Sequence, residues 1–370
     1  MQKPKSTNLF LNNLYPLAKK FCERVLFFVL IPLEYLYRLI FFIDQAWKKY
    51  RGNKTGYRFK IISVGNLTVG GTGKSVVVPF LVKLLSEDRC VIVMRGYGGS
   101  QERAGKQILV GDGNQLFCSV SVAGDEAVMH ATQLTCPVVV SAQRVHGCVL
   151  VRDLLPHIKY VILDDAYQHH SVKKDIDIVL LDARKPFDNG HCLPAGRLRE
   201  KDLSRASFIM MTHSDQITQQ QRDALQAKLQ KQTDNKPIFW GKHAIDGLYR
   251  NNEELVSPEF FVGKKFVMVA GIGTPTNVEQ SLKKINLAAS AVCVFPNHAP
   301  YRERDLETIY EQAQAVGAEA VITTTKDWVK LAPLVLAQGL HAPLRWYVLH
   351  VRYKLLNEQA REQLVLLCEQ

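Results

Sequence analysis

Apolar and polar positions divide the chain into a greasy N-terminal segment and a long alternation of short apolar runs with helix-spaced stretches. From Val25 to Ile43 apolar residues are nearly continuous, broken mainly by Glu34 and Arg38. This stretch reads as one helix, with Glu34 and Arg38 four apart and able to pair on one face; residues 1–20, polar and basic, read as frayed. Downstream, short apolar runs predict buried strands at Ile61–Val64, Cys90–Met94, Val138–Val140, Tyr160–Asp165, Ile176–Asp182, Phe208–Met211 and Ile238–Trp240. Helical patterns at Lys74–Leu85, Ala127–Leu134, Arg144–Leu155 and Gln216–Lys231 fall among them. Such alternation predicts an α/β fold with a doubly wound sheet. A smaller second unit repeats the pattern, with strands at Phe266–Ala270, Ala291–Phe295, Ala320–Ile322 and Trp346–Val351, a helix from Asp305 and a turn at Thr323–Asp327. The expected organisation is a basic N-terminal region (1–57), a core (58–240), a polar linker (241–264) and a smaller C-terminal α/β domain (265–370).

The chemistry concentrates where the first strand ends. Ile61–Val64 runs into Gly65-Asn66-Leu67-Thr68-Val69-Gly70-Gly71-Thr72-Gly73-Lys74-Ser75, and Lys74-Ser75 opens the following helix. An ordinary glycine-rich turn is the plainer reading, but strand, Gly-Lys-Ser and helix together make a P-loop, whose backbone N–H groups converge on phosphate oxygens. Lys74 would reach the β and γ phosphates, and the Ser75 hydroxyl would hold Mg²⁺. Thr68 stands where the general pattern has glycine, so Asn66 and Thr68 are expected to hold the loop. Tyr160–Asp165, an apolar strand ending in two aspartates, reads as a Walker B segment. Asp125 and Glu126 precede a helix, where acids also serve simply as dipole partners. His169 and His170 are adjacent and so point apart, which argues against a metal pair. Thr212-His213-Ser214-Asp215 lacks the Asn-Lys start of a guanine-recognition tetrapeptide, and Gly271-Ile272-Gly273 is half a dinucleotide fingerprint.

Charge changes the picture at one end only. Of a net +12, residues 1–60 hold +9, from twelve Lys/Arg against three acids. The remaining body is near neutral, which excludes a body-wide nucleic-acid surface. Eight scattered cysteines with no Cys-x-x-Cys pair fit a reducing compartment and propose neither zinc nor a disulfide framework. The uncharged run before Glu34 is shorter than the roughly 20 residues of a membrane span. The favoured reading is a helix lying in the membrane surface between basic flanks; a buried core helix and a true span are the alternatives.

Taken in order, these stretches resemble the tetraacyldisaccharide 4'-kinase family, the lipid A 4'-kinases of Gram-negative bacteria. The resemblance rests on Val64–Ser75, Arg95–Gly99, Gly124-Asp125-Glu126, Asp164–His169, Leu193–Glu200, Phe295–His298 and Thr325-Lys326-Asp327. It implies transfer of a phosphoryl group from ATP, with Mg²⁺, to the 4'-hydroxyl of a tetraacyldisaccharide 1-phosphate at the cytoplasmic face of the inner membrane, by a peripheral or monotopic enzyme. It also implies roles. Thr68, Val69, Gly70, Gly71, Thr72, Gly73, Lys74 and Ser75 would cradle the phosphates, with Arg199 and Glu200 on a nucleotide-side loop. Asp125 would be the catalytic base, supported by His298. Ser75, Glu126, Asp164 and Asp165 would form the Mg²⁺ side. Ala166, Asn297 and Ala299 depart from the residues usual in the family. The alternative is a membrane-tethered P-loop ATPase or GTPase that switches on a protein partner; a soluble-sugar kinase leaves the greasy helix unexplained.

Overall fold

The computed structural model describes residues 7–51, 56–271, 275–339 and 343–370. Lys3, Lys5, Lys54 and Ile272–Thr274 lie outside them, as do the side chains of residues 7–26, 49 and 51. In chain order the elements are α1 (Thr7–Arg51), β1 (Lys60–Asn66), α2 (Lys74–Leu84), β2 (Cys90–Met94), α3 (Ser100–Ala104), β3 (Gln107–Gly111), α4 (Val120–Ala123), α5 (Asp125–Gln133), β4 (Val138–Ser141), α6 (Arg144–Leu154), β5 (Tyr160–Asp164), β6 (Ile176–Asp182) and β7 (Phe208–Thr212). There follow α7 (Gln219–Thr233), β8 (Ile238–Arg250), β9 (Glu254–Val256), β10 (Phe266–Ala270), α8 (Pro275–Lys283), β11 (Ala291–Val294), α9 (Glu303–Val316), β12 (Ala320–Thr324), α10 (Thr325–Ala337), β13 (Arg345–Leu355) and α11 (Ala360–Glu369).

The strands join in one sheet, ordered β11-β10-β12-β13-β8-β7-β6-β1-β5-β2-β4-β3, with β9 pairing on β8. The runs β1, β2, β4, β5, β6 and β7 are buried on both faces and pair in parallel, as continuous apolar strands must when helices cover both sides. On one face α2, α5 and α11 bring Val77, Leu81, Ala127 and Leu364 onto the sheet. On the other, α6 contributes Cys148 and Val151. In the C-terminal half α9 and α10 cover one face with Ile309 and Leu331, while α8 covers the other with Val278 and Leu282.

β8 carries the chain from one half to the other. Ile238–Trp240 pairs in parallel with β7, and Gly241–Arg250 then pairs antiparallel with β13. The stretch 241–264, read as polar linker, is therefore mostly strand, continued by β9 and a short 3₁₀ turn at Pro258–Phe261. The first of its three glycines has a packing reason. A Cβ on Gly241 would collide with the Tyr353 hydroxyl, which donates to the Met211 carbonyl at 2.9 Å. The turn expected at Thr323–Asp327 is instead the end of β12 running straight into α10, because the Thr324 side chain accepts from Asp327 N and caps the helix.

α1 begins at Thr7, where frayed chain was expected; Phe10, Leu14 and Leu17 extend the helical spacing back to it. Its 45 residues make a rod about 67 Å long. One stripe faces the body at Leu30, Glu34, Tyr37 and Phe41, while Phe28, Val29, Leu33, Leu36, Leu39, Ile40, Phe42 and Ile43 stand out, Phe28 and Phe42 being 70% exposed. That exposure overturns the buried-core reading of this helix. Among the described residues, no helix is long and apolar enough to cross a membrane. Glu34 does not pair with Arg38 either. It turns inward, where His191 and the buried Cys192 N–H satisfy it better than a solvated guanidinium, while Arg38 lies outward over the Tyr35 ring.

Candidate active site

The P-loop is shaped by two residues with left-handed backbone and one asparagine. Gly70 and Gly73 have φ of 117° and 89°, open to glycine and strained for other residues. Asn66, the last residue of β1, donates to Thr68 O at 2.8 Å and Gly70 O at 3.4 Å, and its Oδ1 accepts from Lys74 Nζ at 3.0 Å. Asn66 thus holds the loop with its side chain, and Thr68 with its backbone, which bridges to Leu198. Further pinning comes from the 191–201 segment, where Val69 N donates to Arg197 O and Arg199 N to Leu67 O, both at 2.7 Å.

At the end of β5 the two aspartates face different neighbours. Asp165 lies 3.3 Å from Lys74 Nζ, and both its oxygens accept from Arg199 Nη1 at 3.1 Å. Burial works against its charge, but Lys74 and Arg199 outweigh it and hold its carboxyl below the usual range. Asp164 is buried, and its Oδ1 has no hydrogen-bond partner. Burial, then the nearby charge of Glu126, pushes its pKa up to about 7. The Arg144 guanidinium, also buried, donates to Asp164 O at 2.8 Å and Ser141 O at 3.0 Å.

Across the cleft, Asp125 and Glu126 open α5, and α10 approaches them from the C-terminal half. His298 Nδ1 sits 3.1 and 3.0 Å from the two Asp125 carboxylate oxygens. Lys326 Nζ is 3.0 Å from Glu126 Oε1 and 3.9 Å from Asp125 Oδ2, and Lys330 Nζ is also 3.9 Å from Asp125 Oδ2. Burial opposes the Asp125 charge, but the His298 bond and the lysines win, and its carboxyl is held below the usual range. His298 has φ of 60°, a left-handed backbone that aims its ring back toward α5. Ala166 is not among the residues with positive φ, so its methyl costs no backbone strain.

Lys74, Ser75, Glu126, Asp164, Asp165, Arg199 and His298 all line one cavity of about 1800 Å³. Glu200 does not; it is buried in a separate pair with Arg205, whose Nη2 lies 3.1 and 3.0 Å from its oxygens. Among the described residues no group of three His, Cys, Asp or Glu is arranged to hold a metal alone, and His169 is kept neutral, its pKa down to about 3 through burial and nearby cations. A P-loop site needs no such group, since phosphates complete the shell. The orphaned Asp164 Oδ1, the Ser75 hydroxyl at the start of α2 and the adjacent Glu126 are hard oxygen donors that fit Mg²⁺. Sequence reasoning gave no role to Arg144, Lys326 or Lys330, nor to Gln168, which donates to Asn66 O at 2.9 Å and accepts from Arg199 Nη1 at 3.2 Å. A cation just past the C-terminal end of β12, where doubly wound sheets gather ligands, was the signal available for Lys326.

A family profile described as tetraacyldisaccharide-1-P 4'-kinase matches residues 26–368. The chain belongs to this family. Tetraacyldisaccharide 4'-kinases therefore supply its relatives: that of Halothermothrix orenii is 30% identical over 354 residues, covering 91% of each chain. That of Geobacter metallireducens is 35% identical over 288 residues, covering 76% of this chain and 81% of the relative. A crystal structure from Aquifex aeolicus, an "apo" form in complex with ATP, superposes with a TM-score of 0.70 at 26% identity, covering 92% of this chain and 99% of that one. Like the rest of the tetraacyldisaccharide 4'-kinase family, the chain is a kinase acting on a hydroxyl acceptor, and the protein-switch alternative falls with that finding.

Proposed function

We propose that this kinase transfers the γ-phosphoryl group of ATP to the 4'-hydroxyl of a tetraacyldisaccharide 1-phosphate at a membrane surface. The observation that carries the reading is the Asp125–His298 pair, closed at 3.0 Å between the two halves and beside the phosphate loop's cavity.

In this reading Asp125 takes the hydroxyl proton, and His298 orients the carboxylate and steadies the charge as it is neutralised. Lys74, held by Asp165 and Asn66 beside the loop, reaches the phosphates from there and stabilises charge on the transferring group. Ser75, Asp164 and Glu126 would hold Mg²⁺, which when bound neutralises phosphate charge. Asp165 and Arg199 hold Lys74 in register, and Arg144 fixes the Asp164 backbone. Residues 58–240 and 265–370 would act as two domains, the first holding ATP and the second bringing His298 and Lys326 to it. The exposed apolar face of α1, flanked by basic residues, would lie in the anionic cytoplasmic leaflet, where each Lys or Arg adds about 1 kcal/mol. No nucleic-acid role is proposed.

The test is transfer of radiolabel from ATP to the disaccharide lipid in mixed micelles, for wild type, Lys74→Ala and Asp125→Ala. Label on lipid, falling roughly 10²-fold or more in each variant, is the expected outcome. Phosphate release at an equal rate without lipid, and indifferent to Asp125→Ala, would sink the reading.

A further inference from the structure

The segment from His191 to Lys201 is clasped on both sides. On one side lies α1. Glu34, 4% exposed on an otherwise greasy helix, accepts from Cys192 N at 2.9 Å, touches His191 Nδ1 at 2.7 Å and faces Lys201 Nζ at 3.6 Å. Three residues on, the Tyr37 hydroxyl donates to Arg199 O at 3.1 Å. On the other side lies the phosphate loop, joined through Val69 N to Arg197 O, Arg197 Nη2 to Val69 O and Arg199 N to Leu67 O. Three contacts therefore connect the helix with the exposed apolar face to the phosphate-binding lysine: Tyr37 to Arg199, Arg199 to Asp165, and Asp165 to Lys74.

A buried carboxylate on such a helix is costly unless it is fully satisfied, and here the satisfying groups belong to the clasped segment rather than to α1. Helix and segment are thereby locked to one another. Glu34 lost to alanine leaves the buried Cys192 N–H without its acceptor, so the segment must move, and Arg199 moves with it.

We propose that Glu34 and Tyr37 are positioning residues for ATP: they seat the 191–201 segment on α1, and through Arg199 and Asp165 that seat sets Lys74 and the phosphate loop. ATP affinity then depends on how α1 sits, and by linkage bound ATP tightens the seating of α1 by the same factor. The inference rests on the reading of the phosphate loop as an ATP site. It differs from a plain anchor, which would hold α1 to the body without touching nucleotide affinity.

The experiment uses the full chain as wild type, Glu34→Ala, Glu34→Gln and Tyr37→Phe. It measures binding of a fluorescent ATP analogue without lipid, flotation with phosphatidylglycerol–phosphatidylethanolamine vesicles, and thermal melting. Glu34→Ala is expected to weaken nucleotide binding by about 10-fold and Tyr37→Phe by about 3-fold, as for loss of a charged and a neutral hydrogen bond. Glu34→Gln should recover part of the loss, since its amide oxygen still accepts from Cys192 N. Wild-type affinity in Glu34→Ala, with flotation reduced, makes the pair an anchor only and overturns the proposal. Should Glu34→Ala fail to fold, Tyr37→Phe decides: unchanged affinity there overturns the proposal too. A wild-type chain that does not bind the analogue sinks the ATP reading itself, a result distinct from either.

Discussion

Replacing His298 by alanine removes the imidazole that lies 3.1 and 3.0 Å from the two Asp125 oxygens. Asp125 is 4% exposed beneath that imidazole, whose own outer edge reaches the cavity, so water entering in its place restores only part of the bond. A hydrogen bond to a charged group is worth about 1.5–3 kcal/mol. At about 1.4 kcal/mol per decade, kcat/KM should fall about 10- to 150-fold. The loss should be smaller than in Asp125→Ala, because Lys326 and Lys330, each 3.9 Å away, still favour the carboxylate. The pH profile carries the sign. His298 is among the groups that hold the Asp125 carboxyl below its usual range, so removing it raises that pKa. Catalysis needs the carboxylate, and the acid limb of kcat/KM should therefore move to higher pH. Stability follows the same direction. A depressed folded pKa contributes stability above the unfolded value of about 4, lost as pH falls through the folded value, so the variant's deficit should be full at neutral pH and shrink in acid. Since His298 has φ of 60°, His298→Asn serves as the control for backbone strain, because asparagine tolerates that region. The assay is label transfer to lipid at a series of pH values. An unchanged kcat/KM, or an acid limb that moves to lower pH, would refute the reasoning.

Two further expectations concern single side chains. His130 is fully buried on α5 with neither ring nitrogen partnered, and burial takes its pKa down to about 4; His130→Leu should recover about 1–3 kcal/mol of desolvation and raise Tm by about 2 °C or more, and a lower Tm would contradict this. At Gly73, with φ of 89°, a Cβ would sit 2.5 Å from His243 Nε2, so Gly73→Ala should weaken ATP binding by about 10-fold or more, measured by titration with a fluorescent analogue, and wild-type affinity would count against the loop geometry.

The parts of the site legible in sequence are those built from neighbours in the chain. Ile61–Ser75 shows strand, loop and lysine together, and Tyr160–Asp165 carries its aspartates at the end of its own apolar run. Asp125 and His298 came through the family resemblance, not through spacing, since they are 173 residues apart and nothing local joins them. Lys326 meets Glu126 across 200 residues, a distance only the sheet order resolves. Glu34 was misjudged for the opposite reason: an obvious local partner, Arg38, stood four residues away, while the partners that won, His191 and Cys192, were far along the chain. The 241–264 stretch reads as linker because it is polar and its glycines, asparagines and proline suit a loop. They suit equally a strand that packs Gly241 against Tyr353 and leaves Lys242 to Ile245 half-buried.

β8 also constrains how the protein can be taken apart. Its first three residues zip to β7 and nine of the following ten to β13, Asp246 being skipped where the register shifts, so neither half owns it. Cutting the chain before Ile238 strips β7 of a neighbour, and cutting after Arg250 leaves ten residues of naked backbone looking for a mate. Either fragment would carry a sticky ribbon of unpaired amides and carbonyls, the template on which aggregates grow. Fragments made for crystallisation or for reporter complementation should therefore be produced together in one cell, so that each ribbon finds its own complement before it finds a copy of itself.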